Sequence, residues 1–388
     1  EWESSSHLAA WPESKRLKSA LTERRKSIKY TLPGIKYEIV GTKPLSEELK
    51  MIMRDSFESI DEEKNWNGLK QIIDAREHLS AVEATSKILT LLGQGMDKSG
   101  RSSSLTPFGL EVWSIRFQLL FGLKKYKELL DEMTSFEELD APDLFFQYHD
   151  DAKQGSMLPF ALRMIHTEAL VHSPLPTQAI GRVDRLISDI ETILDDLSSN
   201  SAPPSHIEDW KKRLKAVVLM RIRILFVLEE TELVLNAIED LRSTVENREK
   251  DDLSFLLTRL CLMGSDEKRA LDVAKETEEA EEEKKQQQDA FHAMYKGDLK
   301  KMLEIEEGCK KNSESASTIN NLAIACLYNG NPLDAVSLLI EEARRCITSN
   351  ESLHPIIAQN IRTISELTHA TTTKTTILKE LQAVLPQQ

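Results

Sequence analysis

Aromatic residues make up only 6% of this 388-residue sequence, and it holds 14 glycines and 13 prolines. A chain so thin in turn formers and in alternating β-branched or aromatic residues offers little from which to build a sheet. Cysteine is equally sparse: Cys261, Cys309, Cys326 and Cys346 sit far apart, with no Cys-x-x-Cys pair and no disulfide framework, so reduced, buried thiols of a cytosolic protein are expected. Positive charge is in deficit. The formal net charge of −14 argues against sequence-independent binding to nucleic acid or to anionic lipid, both of which need a cationic surface. Long apolar runs are missing too: the best stretch, Ala216 to Leu228, is broken by Arg221 and Arg223 and falls short of the roughly 18–20 residues that span a bilayer. A soluble chain without transmembrane insertion is expected. The opening Glu1-Trp2-Glu3-Ser4 is neither a start methionine nor a signal peptide, which reads as a piece of a longer protein. Asn350-Glu351-Ser352 spells a glycosylation sequon, a signal without weight unless the chain is secreted.

What is present favours helices. Hydrophobic residues reach 40% and charged residues 29%, the balance of amphipathic helices with a charged outer face. Residues 1–45 form a poorly periodic leader with basic clusters at Lys15-Arg16 with Lys18 and at Arg24-Arg25-Lys26 with Lys29. A short solvated helix and a partly disordered linker through Pro33-Gly34 and Pro44 are expected there, with a membrane-surface or docking arm as the alternative. Over residues 46–388 helix patterns follow one another with short breaks, as in stacked helical hairpins. The fold class is therefore all-α, a single tetratricopeptide-like α-solenoid of degenerate antiparallel helix pairs.

The clearest window has Leu322, Ala323 and Cys326 on a first helix, a Gly330-Asn331-Pro332 turn, and Ala335 and Leu339 on a second. Gly tolerates the left-handed conformation at a helix end, Pro suits the first turn of the next helix, and a small Ala lets two helices approach closely. Gly297-Asp298-Leu299 repeats this layout 33 residues earlier, with Met302 at the small position. Trp66, Leu69 and Ile73 before a turn near His78, and Trp113, Phe117 and Leu120 before Lys124-Lys125, read as more degenerate repeats, with residues 93–107 as an inserted loop between them. Further pairs are expected at Lys211 to Glu246 and Asp252 to Glu279, the latter turning at Gly264, and the charged run Glu276 to Asp289 reads as a solvated helix face.

Catalytic and cofactor chemistry finds no foothold, so no catalytic residue, cofactor or metal is assigned. Gly93 to Gly100 superficially resembles a phosphate-binding loop, but Asp97 puts a carboxylate where phosphate would sit and the segment follows a helix. The nine histidines include no His-Glu-x-x-His pair. His149-Asp150-Asp151 reads as a solvated loop, and His166 as a satisfied helix histidine. A chaperone-carboxylate clamp fails because Gln287 and Phe291 stand where Lys and Asn are needed, although Asn320 and Asn321 supply the amides.

One central segment is not generic: Leu139-Asp140-Ala141-Pro142-Asp143-Leu144-Phe145-Phe146-Gln147-Tyr148, then Gly155-Ser156-Met157-Leu158-Pro159-Phe160 and the helix through Arg163, Ile165-His166 and Glu168. In it Asp143 and Ser156 can cap short helices and the aromatics can bury between hairpins. This segment resembles the subunit-twelve family of the trafficking protein particle (TRAPP) complex. The likeness extends to Gly93-Gln94-Gly95 with Lys98-Ser99-Gly100, to Trp113 with Arg116, and to Asn320-Asn321-Leu322-Ala323, and so runs from about Ser80 to the end. The resemblance implies a non-catalytic scaffold that contacts other TRAPP subunits and sits, through them, at the periphery of endoplasmic reticulum and Golgi membranes. Rab nucleotide exchange would belong to other subunits. Asp140, Asp143, Phe145, Phe146, Tyr148, Asn320 and Asn321 are the candidate partner contacts, with a packing role as their alternative. A stand-alone adaptor for extended peptides is the competing reading of the whole chain.

Overall fold

The computed structural model describes residues 6–23, 28–41, 44–150, 152–245, 247–276, 282–312, 315–349 and 353–368, with Thr375 and Lys379. The Arg24-Arg25-Lys26 cluster, Asp151, the middle of the charged run at 277–281, and the sequon at 350–352 lie outside the described residues. All regular structure among the described residues is helical; one antiparallel bridge, Phe145 with Ser156, is the nearest approach to a sheet. The chain is all-α, a tetratricopeptide-like α-solenoid of stacked helix pairs. Its contacts fall into two units, Glu1–Glu230 and Thr231–Gln388, a division that takes the leader into the first unit and separates the later repeats as the second.

In the first unit the helices are α1 (Lys15–Thr22), α2 (Glu47–Asp55), α3 (Glu62–Asp74), α4 (His78–Leu91), α5 (Pro107–Gly122), α6 (Tyr126–Met133), the one-turn α7 (Phe146–His149), α8 (Phe160–Glu168), α9 (Gln178–Ser199) and α10 (Pro204–Val227). Their starts are written locally. Ser14, Ser46, Asp61 and Thr106 each accept a hydrogen bond from the backbone N–H three residues on, satisfying donors that the first helical turn leaves open. Helix α5 is apolar nearly all round, and α4, α6 and α8 pack against it, as a helix with no polar face must be covered on every side. Trp113, Phe117 and Phe136 meet there with ring centroids 5.4–5.6 Å apart. Trp66, read from the sequence as the matching core aromatic of a repeat, is instead 38% exposed; Leu69 and Ile72 of the same helix fill the interior. Lys211 falls inside α10 rather than opening a pair, and α10 packs antiparallel along α9 through Trp210, Val217 and Met220.

The second unit contains α11 (Thr231–Thr244), α12 (Asn247–Met263), α13 (Glu267–Lys275), α14 (Glu282–Tyr295), α15 (Leu299–Asn312), α16 (Ala316–Tyr328), α17 (Pro332–Ser349) and α18 (Pro355–Thr368); α12 packs on α11, α13 and α14, and from α14 to α18 each helix packs on the next. Gly297 (φ 75°) and Gly330 (φ 85°) end α14 and α16 in the left-handed conformation, and the following N–H groups reach back to Ala293 and Cys326 to close the last turn. Ala335 is fully buried where α16 and α17 meet. The turn between α12 and α13 has the same geometry, but the left-handed residue is Ser265 (φ 62°), one position after Gly264. Arg76, Lys124 and Glu229 occupy the equivalent place after α3, α5 and α10.

A non-glycine residue in that conformation costs on the order of 1 kcal/mol. Ser265→Gly is therefore expected to raise the stability of the second unit by roughly 0.5–1 kcal/mol, and Gly330→Ala to lower it by about 1 kcal/mol, read as shifts in urea midpoint at constant slope. Equal midpoints for all forms would refute the strain argument.

Candidate functional site

A guanidinium enters the core of the first unit at Arg116, which with Glu132 is completely buried. The pair is bidentate, Nε and Nη2 donating to the two Glu132 oxygens at 2.7 and 2.9 Å. The remaining donors reach Ser86 Oγ at 2.8 Å and the carbonyls of Val82 at 3.3 Å and Tyr37 at 3.2 Å. Glu132 Oε1 in turn accepts from the backbone N–H groups of Lys36 and Tyr37. Two of these partners belong to the leader, so the buried charges are satisfied only while residues 28–41 lie across the unit as a strap.

The other residues that carried the family resemblance hold the same strap. Gln94 accepts from Trp113 Nε1 at 2.6 Å through its side chain and from Ile35 N at 3.1 Å through its backbone. Gly34 passes so close to the 93–107 segment that a Cβ there would lie 2.1 Å from Ser99 N. The loop resembling a phosphate cradle is thus a bed for the strap. Asp143 is fully buried; its carboxylate accepts from Tyr30 N, Thr31 N and Thr31 Oγ1 at 2.8–3.0 Å. Tyr148 Oη donates to the Ile28 carbonyl at 2.8 Å. Gly155 (φ 102°) has its Cα side 2.3 Å, measured at a Cβ position, from the Ala9 carbonyl, which also accepts from Ser156 N; no side chain fits that approach. Ser156, expected as a helix cap, lies three residues before the N-cap position of α8, Pro159. Its hydroxyl accepts from Arg163, whose guanidinium stacks 3.6 Å over Trp11.

The candidate contacts therefore separate. Asp143, Phe145 and Tyr148 face inward, in keeping with the packing role that was the alternative reading, and the chain's own leader bonds to Asp143 and Tyr148. Asp140 is half-exposed and paired with Arg16 at 2.9 Å. Phe146 is half-buried at the edge of a cleft. In the second unit Asn320 and Asn321 are half-buried; Asn360 of α18 donates to Asn320 of α16 at 2.8 Å, and Asn321 favours the charged form of Glu306 on α15. Glu306 is 2% exposed, and its Oε2 has no hydrogen-bond partner among the described residues. Burial pushes its carboxyl up to about 7, against the lowering effect of Asn321. His166 is buried against Arg182 at 2.9 Å; desolvation, then that neighbouring cation, pushes it down to about 3, leaving a neutral ring.

The cleft beside Phe146 occupies about 730 Å³. Its walls are the start of α3 with Glu62, Glu63 and Trp66, the start of α5 with Phe108 and Glu111, and Phe160 on α8. None of Glu62, Glu63 and Glu111 forms an ion pair among the described residues. Burial, with Glu62 nearby, raises the Glu111 carboxyl to about 7. Sequence reading passed over these residues because acidic residues are common throughout the chain. The Arg116–Glu132 pair was not anticipated either, although an arginine between Ile115 and Phe117 on an apolar helix was a signal that could have pointed to a buried carboxylate. No group of three or more ligating side chains able to hold a metal occurs among the described residues, and none of their helices is long and apolar enough to cross a membrane.

These features define a helical repeat protein whose distinctive residues serve its own packing. It is similar to trafficking protein particle complex subunit 12. The human protein of that name is 24% identical over 387 residues, an alignment covering 90% of this chain and 52% of the relative; the mouse protein is 26% identical over 229 residues, covering 53% of this chain and 29% of the relative. The chain thus spans about half the length of the human relative or less of the mouse one. No family model matches it. Among solved structures, a tetratricopeptide repeat protein from Parabacteroides merdae aligns at 12% identity and TM-score 0.32, over 83% of this chain and 98% of that one. The P58(IPK) tetratricopeptide domain aligns at 11% and 0.21, over 84% and 99%.

Removing one partner of a buried ion pair strands the other, so Arg116→Met or Glu132→Leu alone is expected to cost about 3–5 kcal/mol in chemical denaturation. The double variant should cost clearly less than the sum; strict additivity would show that the two charges do not depend on each other. For Glu306, the folded carboxyl binds its proton more tightly than the ordinary unfolded one. Its contribution is most favourable below the unfolded value and is lost as pH rises through about 7. Glu306→Gln is expected to flatten the decline in stability of the second unit between pH 5 and 8 by roughly 2 kcal/mol; an unchanged slope would contradict that assignment.

Proposed function

We propose that this chain is a non-catalytic, protein-binding part of a TRAPP-type tethering assembly, contacting other subunits of that assembly. The observation that carries the reading is the similarity to subunit 12 along nine-tenths of the chain, combined with what the resembling residues do. Gln94, Trp113, Arg116, Asp143, Gly155 and Ser156 cross-link one unit internally, so the likeness is one of architecture. Stacked helix pairs share a continuous core and expose long faces suited to holding other polypeptides. The buried His166 of the central signature is kept neutral by burial and by Arg182, and among the described residues no carboxylate hydrogen-bonds its ring to complete a base. In this reading the chain sits in the cytoplasm at the periphery of endoplasmic reticulum and Golgi membranes, held there by its assembly, and nucleotide exchange on a Rab GTPase is the work of other subunits. Asp140, Phe146, Asn320 and Asn321 remain available as partner contacts.

Size-exclusion of a lysate carrying the tagged, full-length gene product, followed by mass spectrometry, tests this. Co-elution with other TRAPP subunits at high mass is expected. Elution at the chain's own mass, with extended-peptide binders alone, would replace the proposal with a stand-alone adaptor.

A further inference from the structure

We propose that the cleft between the starts of α3 and α5 is a docking site for an arginine-bearing segment of a partner protein. This rests on the reading of the chain as a holder of other polypeptides and adds the chemistry of what it holds.

The cleft's volume, about 730 Å³, is that of a pocket taking a few side chains rather than a flat contact. Its walls carry aromatic faces at Trp66, Phe146 and Phe160 beside carboxylates at Glu62, Glu63 and Glu111. Glu62 and Glu63 stand in the first turn of α3, where the helix dipole alone would favour an acid. Glu111 has no such reason. It lies beyond the first turn of α5, is half-buried, and forms no ion pair among the described residues. A half-buried carboxylate beside two exposed carboxylates lowers its free energy by acquiring a directly bonded cation.

Aromatic walls select among cations. A large exposed indole attracts a planar, weakly hydrated guanidinium more than a compact ammonium, and paired carboxylates match its fork of donors. The same surface already holds one arginine this way: Arg213 lies 4.9 Å from the Phe160 ring and 4.5 Å from that of Trp210, with Nη1 on the Leu8 carbonyl at 2.9 Å. Arg213 is committed to those partners at one edge, so the carboxylates opposite still outnumber the cations of the lining. A divalent metal is disfavoured because no metal-holding group of side chains occurs among the described residues, and phosphate-bearing ligands are repelled.

The test uses the whole chain and three capped hexapeptides that alternate glycine with arginine, lysine or glutamate, titrated by calorimetry. The arginine peptide should bind, the lysine peptide should bind at least threefold more weakly, and the glutamate peptide should not bind. Trp66→Ala and Glu111→Gln should each weaken the arginine peptide about tenfold. Because Glu111 contributes to packing, the exposed pair Glu62→Lys/Glu63→Lys provides a variant whose thermal midpoint should not move while binding is lost. Unchanged affinity in that variant and in Trp66→Ala, or equal binding of the glutamate peptide, would overturn the proposal. Loss of high-mass co-elution with intact arginine-peptide binding would instead refute the assembly and leave the cleft standing.

Discussion

A guanidinium cannot shed its charge inside a protein, and it has five donors and no acceptor. Burying Arg116 therefore obliges the surrounding chain to present a carboxylate and a ring of oxygens or not to fold. Glu132 from α6, Ser86 and Val82 from α4, and Tyr37 from the strap meet that demand together. One side chain thereby ties three separately formed pieces of the first unit, and Glu132 extends the tie to two strap amides. Among its described residues the second unit has no ion pair with both side chains fully buried. Its order comes from repetition: short helices, tight turns, and amide links such as Gln288 to the Phe255 carbonyl and Asn360 to Asn320.

That contrast explains what could be read from the sequence. Apolar periodicity and low β content were enough for the all-helical class, and Gly297 with Gly330 marked the later turns because glycine is the residue that left-handed geometry favours. The same turn built on Arg76, Lys124, Glu229 and Ser265 leaves no such mark, so helix pairs earlier in the chain blurred. The basic leader suggested a solvated arm because much of its attachment, beside side-chain bonds such as Thr31 Oγ1 to Asp143, is made through backbone N–H and C=O groups at Tyr30, Thr31, Lys36 and Tyr37, which carry no side-chain signature. Trp66 shows the reverse failure: a tryptophan at helical spacing looks like core, and only the packing of α3 reveals that it faces outward.

The candidate site was legible in a different sense. The motif from Leu139 to Tyr148 and from Gly155 onward stood out by its resemblance to the subunit-twelve family, and its Phe145 and Tyr148 are buried. What sequence could not supply was the occupant of that motif. Asp143 has the geometry of a residue that grips an extended peptide by its amides, and the peptide turns out to be the chain itself. The acidic cleft had no sequence signal beyond Trp66 and three glutamates that are ordinary in isolation; proximity across α3 and α5 creates it.

The strap also imposes an order in time. Thr31 docks on Asp143, 112 positions later, whereas the second unit's helices meet neighbours just made. At a synthesis rate of about 5–20 residues per second, the strap waits on the order of ten seconds outside the ribosome before its partner emerges. During that interval Ile35 and Leu17, both destined for the interior, are exposed to solvent and to chaperones, so a segment made well before its partner is among the last of the first unit to settle.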